Sequence, residues 1–263
     1  MGNLQQKISI LKKAKIIFKN WSTFPLAYFN LLPSTFITFY THSNKIIKIR
    51  KNSTDLMALT HVWLIEEYKR SQFEIKNNDI VIDIGAHIGL FSLQASQHCN
   101  HGHIYSFEPN KENFDLLFDN IESNNLKNVH IFNLAVSNSN KPIKLFENND
   151  QSGHSMFSET SKFTEVNSIT LKEIFEKNKI QSCDFLKLDC EGAEYEILQN
   201  LPKEYFPKIK KMVIEYHMAD SHPELLENLK KLLISENFEL DTKFLFSDIG
   251  FLYAKNLTFK NNS

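Results

Sequence analysis

The stretch VIDIGAHIGLF, residues 81–91, constrains the fold more than any other part of the chain. An apolar run leads into Gly85 and Gly89, and a helix-like segment follows. A short apolar run bounded by a turn is typical of a buried parallel strand. Glycine in such a turn indicates positive φ or close approach of another group to the backbone. The stretch therefore predicts a central strand and a sharp turn into a helix, either beside a ligand or as a tight turn without one.

Strand-like and helix-like segments alternate along the chain from residue 53 onward. After residue 91 the predicted strands are HIYSFEP, VHIFNLAVS, CDFLKLD and KKMVIEYH, and helices such as NKENFDLLFDNIESNN lie between them. Thr170 with Glu173 and Ser221 with Glu224 have the spacing of capping boxes at helix starts. KPIKLF and SMFSET predict short antiparallel strands, and FELDTKFLF with GFLYAK predicts a terminal antiparallel hairpin. The alternation predicts an α/β fold with a doubly wound, mostly parallel seven-stranded sheet.

Charge divides the chain at about residue 52. Nine basic residues precede Asp55, the first acidic one, and the remainder has 21 basic and 31 acidic residues, a net charge of −10. We therefore predict an N-terminal extension over residues 1–52 and a main domain over residues 53–263. Residues 20–44 are uncharged and aromatic, but Pro25 and Pro33 argue against a spanning helix. Residues 1–44 either contact an anionic membrane surface or pack on the acidic body or a second subunit as a homodimer.

The three cysteines are an odd number and lack metal-ligand spacing, which favours a reduced cytoplasmic setting over a disulfide framework. If residues 1–44 contact a membrane, the protein would lie peripherally at its inner face.

The sequence also favours one ligand class over another. A dinucleotide site would show G-x-G-x-x-G, whereas this turn reads G-x-x-x-G with His87 between the glycines. Glu108 follows the second strand, where a carboxylate accepts both hydroxyls of a ribose, which NAD and S-adenosylmethionine share. The antiparallel final strand favours S-adenosylmethionine.

The acids that end the fourth and fifth strands supply candidate catalytic groups at the same rim of the sheet. His217 is the first choice for a general base because histidine titrates near neutral pH. Asp189 would position the acceptor or the sulfonium, and Glu191 is the third candidate. The alternative for His217 is a structural histidine that is hydrogen-bonded at a strand end. The alternative for Glu191 is an acid that interacts with the N-terminus of the next helix. Lys187 is expected to pair with an acid. Asp189, Glu191 and His217 could also hold Mg²⁺, but their spacing does not require a metal. The absence of an N-P-P-Y segment argues against nucleic-acid substrates.

The ordered segments DIGAHIGLFS, FEPNKENFDLLFDNIESNN, NVHIFNLAVS, SITLKEIF, DFLKLDCEGAEYEIL and VIEYH resemble the FkbM-type methyltransferases over about residues 45–255. His87 and Cys190 depart from the residues common in that family. The resemblance implies a Rossmann-like class I methyltransferase that uses S-adenosylmethionine. It implies O-methylation of a hydroxyl on a glycan, lipid-linked or natural-product acceptor. A nicotinamide-dependent oxidoreductase and a non-catalytic binding subunit of the same fold remain alternatives.

By the same resemblance, specific residues surround the cofactor. Those around its methionyl part are Asp83, Gly85, Ala86, His87 and Gly89, with Asp189 nearby. Glu108 holds the ribose. Those that flank the adenine are Pro109, Asn110, Ala135 and Val136.

Overall fold

A seven-stranded sheet forms the centre of the molecule in the computed structural model, which describes residues 4–146 and 163–259. The strands, in chain order, are β1 Phe36–Tyr40, β2 Ile46–Arg50, β3 Ile80–Ile84, β4 His103–Phe107, β5 Val129–Phe132, β6 Ala135–Ser137, β7 Ile143–Phe146, β8 Phe163–Val166, β9 Ser168–Thr170, β10 Phe185–Leu188, β11 Lys211–Tyr216, β12 Phe238–Phe244 and β13 Gly250–Asn256.

The central sheet has the order β12-β13-β11-β10-β3-β4-β5. Five neighbouring strands run parallel to one another: β11, β10, β3, β4 and β5. β13 runs antiparallel to its two neighbours, β11 and β12. The predicted doubly wound sheet and its antiparallel terminal hairpin are therefore confirmed. The strand order reverses beside β3, so the turn after β3 lies at the point where ligands bind in open α/β sheets.

Helices cover both faces of this sheet. They are α1 Leu4–Ile17, α2 Thr23–Tyr28, α3 Asp55–Leu59, α4 Leu90–Ala95, α5 Lys111–Ser123, α6 Leu171–Lys177, α7 Glu194–Gln199 and α8 Pro223–Ser235. Successive side chains of β3 pack into two hydrophobic cores on opposite faces of the sheet, Val81 into one and Ile82 into the other. A strand buried on both faces is consequently apolar, and Asp83 is the exception in β3.

Several local predictions need correction. VHIFNLAVS forms two strands in different sheets, β5 and β6, because β6 leaves the central sheet to pair with β9. β7 forms as predicted but pairs with β8; the predicted strand SMFSET lies outside the described residues. The helix after residue 53 is not a continuous α-helix: α3 is followed by a π-helical turn, Thr60–Ile65, and Glu66 after it lies in the left-handed region. Thr170 makes its predicted capping box, whereas Ser221 does not cap α8.

The N-terminal segment contains a β-hairpin as well as the predicted helices. β1 and β2 pair antiparallel, and the outer edge of β2 is closed by side chains of α5 instead of a further strand. Asn120 and Asn124 each accept from and donate to the backbone of β2, at Lys48 and Ile46 respectively. These bonds satisfy groups that an edge strand leaves unpaired. The hairpin is thereby fixed on the main sheet's helical layer, while the predicted boundary at residue 52 stays a prediction.

Candidate active site

The turn after β3 is pinned to the end of β10 by the absence of a side chain at Gly85. Gly85 and Gly89 have φ of +74° and +85°, in the left-handed region. A Cβ on Gly85 would overlap the carbonyl oxygen of Asp189, and one on Gly89 would overlap the side chain of Leu117. Protein contacts therefore explain both glycines without a ligand. Their effect on the site is to bring the turn against Asp189.

Glu108 lies buried beside this turn and is already oriented by backbone donors. Its Oε2 accepts from the N–H of His87 at 2.8 Å, and its Oε1 accepts from the N–H of Asn110 at 3.0 Å. Burial raises the pKa of Glu108 to about 7, although both N–H groups oppose that rise. Oε1 also accepts from the side-chain amide of Asn113 at 3.4 Å, so Oε2 is the oxygen that keeps a lone pair for a ligand hydroxyl.

The imidazole of His87 is held by the N-terminal hairpin. The residue has φ +50°, and its Nε2 lies 3.4 Å from Nη2 of Arg50 and 3.5 Å from Oδ1 of Asp55. Arg50 makes a two-point contact with Asp55, with distances of 2.9 and 2.8 Å, and donates to Asn113 on α5 at 2.7 Å. Burial lowers the pKa of His87 to about 4, so the ring is neutral. Nothing in the sequence pattern had connected Arg50 with the glycine turn.

Asp83 and Lys187 form a buried ion pair behind the turn. Nζ of Lys187 lies 3.1 Å from Oδ1 of Asp83, 3.5 Å from Oδ2 of Asp189 and 2.8 Å from the carbonyl oxygen of Gly85. Ser92 donates to the other oxygen of Asp83 at 2.6 Å. The expected pairing of Lys187 with an acid is confirmed. Because Asp83 is fully buried and held on both oxygens, it positions Lys187, and direct contact with the cofactor stays a prediction.

Tyr68 joins the ends of β10 and β11. Its hydroxyl lies 2.9 Å from Oδ2 of Asp189 and 3.0 Å from Oε2 of Glu215. Burial and the nearby Asp189 raise the pKa of Glu215 to about 8. Burial alone would raise the pKa of Asp189 too, but Lys187 and the other positive groups hold it below its usual value. At neutral pH Asp189 is therefore ionised, whereas Glu215 is mostly protonated. Glu215 is a site residue that the strand pattern placed at the rim but did not single out.

His217 is held by two acids. Its Nδ1 lies 3.2 Å from Oε1 of Glu194, which also accepts from the backbone N–H of His217 at 2.9 Å, and its Nε2 lies 3.6 Å from Oε2 of Glu191. Burial alone would lower the pKa of His217, but Glu194 and Glu191 outweigh it and raise the value to about 10. The imidazole is therefore protonated at neutral pH. Its predicted role as general base requires that it first lose this proton.

Asp189, Glu215 and His217 each offer one atom to a common point, with these ligand atoms all within 4.8 Å of one another. The set differs from the group of Asp189, Glu191 and His217 that the sequence had suggested for Mg²⁺. Glu215 takes the place of Glu191 in it, and Glu191 instead lies 3.6 Å from Nε2 of His217. The prediction that the enzyme needs no metal stays a prediction.

The residues predicted to flank the adenine follow β4 and β5. Asn110 caps α5, accepting from the N–H of Asn113 at 3.0 Å. The side chain of Asn133 donates to the carbonyl oxygens of Glu108 and Pro109, both at 2.9 Å, and so fixes the path between them. Ala135 and Val136 are buried in β6, immediately after that link. A separate cavity of about 470 Å³ has Tyr68 and Phe91 in its wall but contains none of these residues.

A mostly parallel seven-stranded sheet with an antiparallel last strand, a glycine turn after the first central strand and an acid after the next define a class I methyltransferase fold. The family model for the methyltransferase FkbM domain matches residues 83–239, more than half of the 263-residue chain. The chain belongs to the FkbM methyltransferase family. The resemblance identified in the sequence is thereby confirmed, and the oxidoreductase alternative falls away.

Individual relatives are distant. Methyltransferase sdnD of Sordaria araneosa is 26% identical over 174 residues, covering 54% of this chain and 67% of that protein. Hexuronic acid methyltransferase AglP of Haloferax volcanii is 23% identical over 193 residues, covering 68% and 76%. A 23S rRNA methyltransferase of Legionella pneumophila, RlmD, is 30% identical over 101 residues, but these are only 20% of its length. Among solved structures, M. jannaschii TYW2 with AdoMet has a TM-score of 0.47 at 18% identity, covering 85% of this chain and 87% of that one.

S-adenosylmethionine is the cofactor that the family and fold imply, and the residues present fit it. Glu108 offers a ribose a buried carboxylate that backbone N–H groups orient. S-adenosylmethionine has no phosphate, so it does not need the several free amides that a dinucleotide turn supplies. Asp189, which is ionised, provides negative charge beside the turn, and this suits a sulfonium. The hydrogen-bond acceptor at Glu108 and the negative charge at Asp189 thus match a cationic nucleoside that has no phosphate.

Proposed function

We propose that this chain is an O-methyltransferase that transfers a methyl group from S-adenosylmethionine to a hydroxyl of a glycan, lipid-linked or natural-product acceptor. The observation that carries the proposal is the cluster of Asp189, Glu215 and His217 next to the glycine turn, because a hydroxyl acceptor must lose a proton as it is methylated. The similarity to a hexuronic acid methyltransferase, which is named for a sugar acceptor, supports a glycan among these classes.

Bound S-adenosylmethionine would supply a methyl group activated by a positively charged sulfur. The chain's own contribution begins with position: Glu108 holds the ribose, and the turn at Gly85 sets the rest of the cofactor against Asp189. Holding the acceptor oxygen in line with the methyl carbon removes about 7–11 kcal/mol of a barrier of this kind. Asp189 is ionised and faces the same crevice, so we assign it to orienting the acceptor hydroxyl.

Glu215 is the better base of the two candidates at the end of β11. A general base works best when its pKa lies near the working pH, and Glu215 has a pKa of about 8 against about 10 for His217. A base of this kind contributes about 10²–10⁴-fold to the rate. We therefore assign proton removal to Glu215. His217, held protonated by Glu194 and Glu191, positions the negative charges of Asp189 and Glu215.

The first experiment is calorimetric titration of the protein with S-adenosylmethionine and, separately, with NAD. The proposal expects binding of S-adenosylmethionine alone. Methyl transfer is then followed with isotopically labelled cofactor on hydroxylated acceptors from the three classes, and NMR of the product shows whether the new methyl is bonded to oxygen. Glu215→Gln, which lacks the assigned base, serves as the inactive variant that should still bind cofactor.

Two results would contradict the proposal. A product methylated on carbon or nitrogen would place the reaction in another class. Binding of S-adenosylmethionine with no transfer to any acceptor, and with the same affinity in Glu108→Ala as in the wild type, would favour the non-catalytic binding subunit.

A further inference from the structure

Helix α1 has two apolar faces, and the fold buries only one of them. Ala14 is fully buried, and Ile10 and Ile17 pack beside it against the main core. Leu4, Ile8 and Leu11 recur at helical spacing on another face of α1, and all three are exposed, Leu4 by 74%. An ordinary surface helix has one apolar stripe and turns it inward. The second stripe on α1 therefore has no partner within the described part of the chain.

The segment after α1 extends this exposed surface. Nζ of Lys7 lies 5.9 Å from the ring of Tyr28, and Nζ of Lys15 lies 5.9 Å from the ring of Trp21, so both aromatic residues stand beside the stripe. Further along, Phe29 and Leu31 are each 67% exposed. We call these side chains together the N-terminal patch; they are Leu4, Ile8, Leu11, Trp21, Leu26, Tyr28, Phe29 and Leu31. Exposed apolar groups concentrated in one short region mark an interaction surface.

Lysines surround the N-terminal patch, which has no acidic residue of its own; Glu66 of the main domain lies 3.8 Å from Lys13 on α1. Lys7, Lys12, Lys15 and Lys19 are all exposed, and no acidic residue precedes Asp55. The rest of the chain has a net charge of −10. A helix face with leucine and isoleucine between lysines, next to exposed tryptophan and tyrosine, is the composition of helices that lie in a membrane interface.

We propose that the N-terminal patch docks on the surface of an anionic lipid bilayer. α1 has 14 residues, and among the described residues no helix is long and apolar enough to cross a bilayer. The docking is therefore peripheral, with apolar side chains in the headgroup region and lysines on the anionic lipids. This holds the enzyme at a membrane surface without depending on which acceptor it methylates.

A second copy of the chain is a poorer occupant of the same surface. In a two-fold dimer the same patch meets itself, so the lysines of one copy would face the lysines of the other with no acid in either patch. In the other closed arrangement each patch would contact the acidic body of the other copy, and the sedimentation measurement below tests for that dimer. An anionic bilayer matches both the charge and the apolar groups.

Co-sedimentation with vesicles tests the proposal directly. The full chain should bind vesicles that contain phosphatidylglycerol, bind pure phosphatidylcholine vesicles weakly, and lose binding as salt is raised. Lys12→Gln with Lys15→Gln should lower partitioning roughly 10- to 30-fold, given the attraction of each lysine to such a surface. Lys127→Gln with Lys203→Gln, at exposed lysines of the main domain, should change it little.

The apolar contribution has its own matched pair of variants. Ile8→Gln with Phe29→Gln should abolish most of the binding, whereas Ile234→Gln with Phe246→Gln, which alters exposed apolar residues elsewhere, should leave it intact. Circular dichroism and thermal melting establish that each variant is folded. Equal vesicle binding by the patch variant and the wild type would overturn the proposal.

The two tryptophans give a local readout of the same event. Trp21 is 40% exposed in the N-terminal patch, and Trp63 is 3% exposed in the core. Vesicle binding should shift the fluorescence to the blue in the wild type and leave it unchanged in Trp21→Phe. A shift that persists in Trp21→Phe would overturn the assignment of the surface. Absence of vesicle binding, together with a dimer in sedimentation velocity that Ile8→Gln with Phe29→Gln dissociates, would overturn the lipid proposal in favour of a second copy.

Discussion

The hydroxyl of Tyr68 lies 2.9 Å from Oδ2 of Asp189, although the two residues are 121 positions apart in the chain. The same hydroxyl lies 3.0 Å from Oε2 of Glu215. A phenol has one proton to donate, so Tyr68 shares it between two carboxylates. The carboxylates of Asp189 and Glu215 are thus joined by a hydroxyl from outside residues 83–239, the region that the methyltransferase family model matches.

We expect Tyr68→Phe to move the pH dependence of methyl transfer to higher pH. The hydrogen bonds from Tyr68 lower the pKa of both Asp189 and Glu215, and their loss leaves the pair harder to ionise. At neutral pH, kcat/KM should fall about tenfold. Tyr253→Phe is the matched control, because Tyr253 donates to the carbonyl oxygen of Glu67 and not to the site. An unchanged profile in Tyr68→Phe would contradict the assignment.

The identity of the base follows from the pH profile of the wild type. If Glu215 removes the proton, kcat/KM rises with pH as this carboxyl ionises, with a midpoint near its pKa of about 8. His217 lowers that pKa, so His217→Gln should shift the midpoint upward while preserving the rise. Loss of the rise in His217→Gln, or a wild-type midpoint near 10, would make His217 the base, as the sequence had predicted.

Cofactor affinity should depend on pH through Glu108. Burial raises its pKa to about 7, so the free protein has more of the neutral acid below that pH and more carboxylate above it. A carboxylate accepts the ribose hydroxyls more strongly, and the Kd for S-adenosylmethionine should therefore decrease between pH 6 and pH 8, on either side of about 7. Calorimetry at several pH values measures this trend.

Glu108→Gln provides the control for that titration. The amide keeps the shape but has no charge to gain, so the affinity should be roughly 10- to 30-fold weaker at neutral pH and insensitive to pH. Glu112→Gln, in the first turn of α5 and exposed, should bind as the wild type does. An equal pH dependence in wild type and Glu108→Gln would show that another group titrates.

Gly85→Ala should prevent stable folding. The new methyl would overlap the carbonyl oxygen of Asp189, and the φ of +74° is unfavourable for alanine. The loss is expected to be on the order of 4 kcal/mol or more in the free energy of unfolding, because backbone atoms of β10 cannot move aside. Urea denaturation followed by circular dichroism measures it, and wild-type stability in this variant would contradict the close approach.

Activity should persist in the presence of a chelator. Asp189 is paired with Lys187, and His217 is protonated by its contacts with Glu194 and Glu191, so a proton occupies a nitrogen that a metal would require. Methyl transfer measured with EDTA and with added Mg²⁺ should therefore be equal. Loss of activity in EDTA that Mg²⁺ restores would identify Asp189, Glu215 and His217 as a metal site.

The sequence by itself determined the order of the main elements. The spacing of apolar residues is a local signal: they alternate or are continuous in strands, and they recur every 3.6 residues in helices. Together with the turn residues between these segments, this spacing was sufficient to predict the parallel sheet and its terminal hairpin. The same signals placed Glu108, Asp189 and His217 at the ends of strands. Since the ends of parallel strands meet at one edge of a sheet, these residues had to share a crevice.

Only the tertiary structure decided how those residues are used. Tyr68 reaches Asp189, and Arg50 reaches the imidazole of His87, through contacts between segments far apart in the chain, and no local pattern encodes them. The protonation of His217 and Glu215 depends on burial and on neighbouring charges, which exist only once the chain is packed. The need for glycine at position 85 is also a tertiary effect. The carbonyl oxygen that excludes a side chain there belongs to Asp189, just after β10 and about a hundred residues further along the chain.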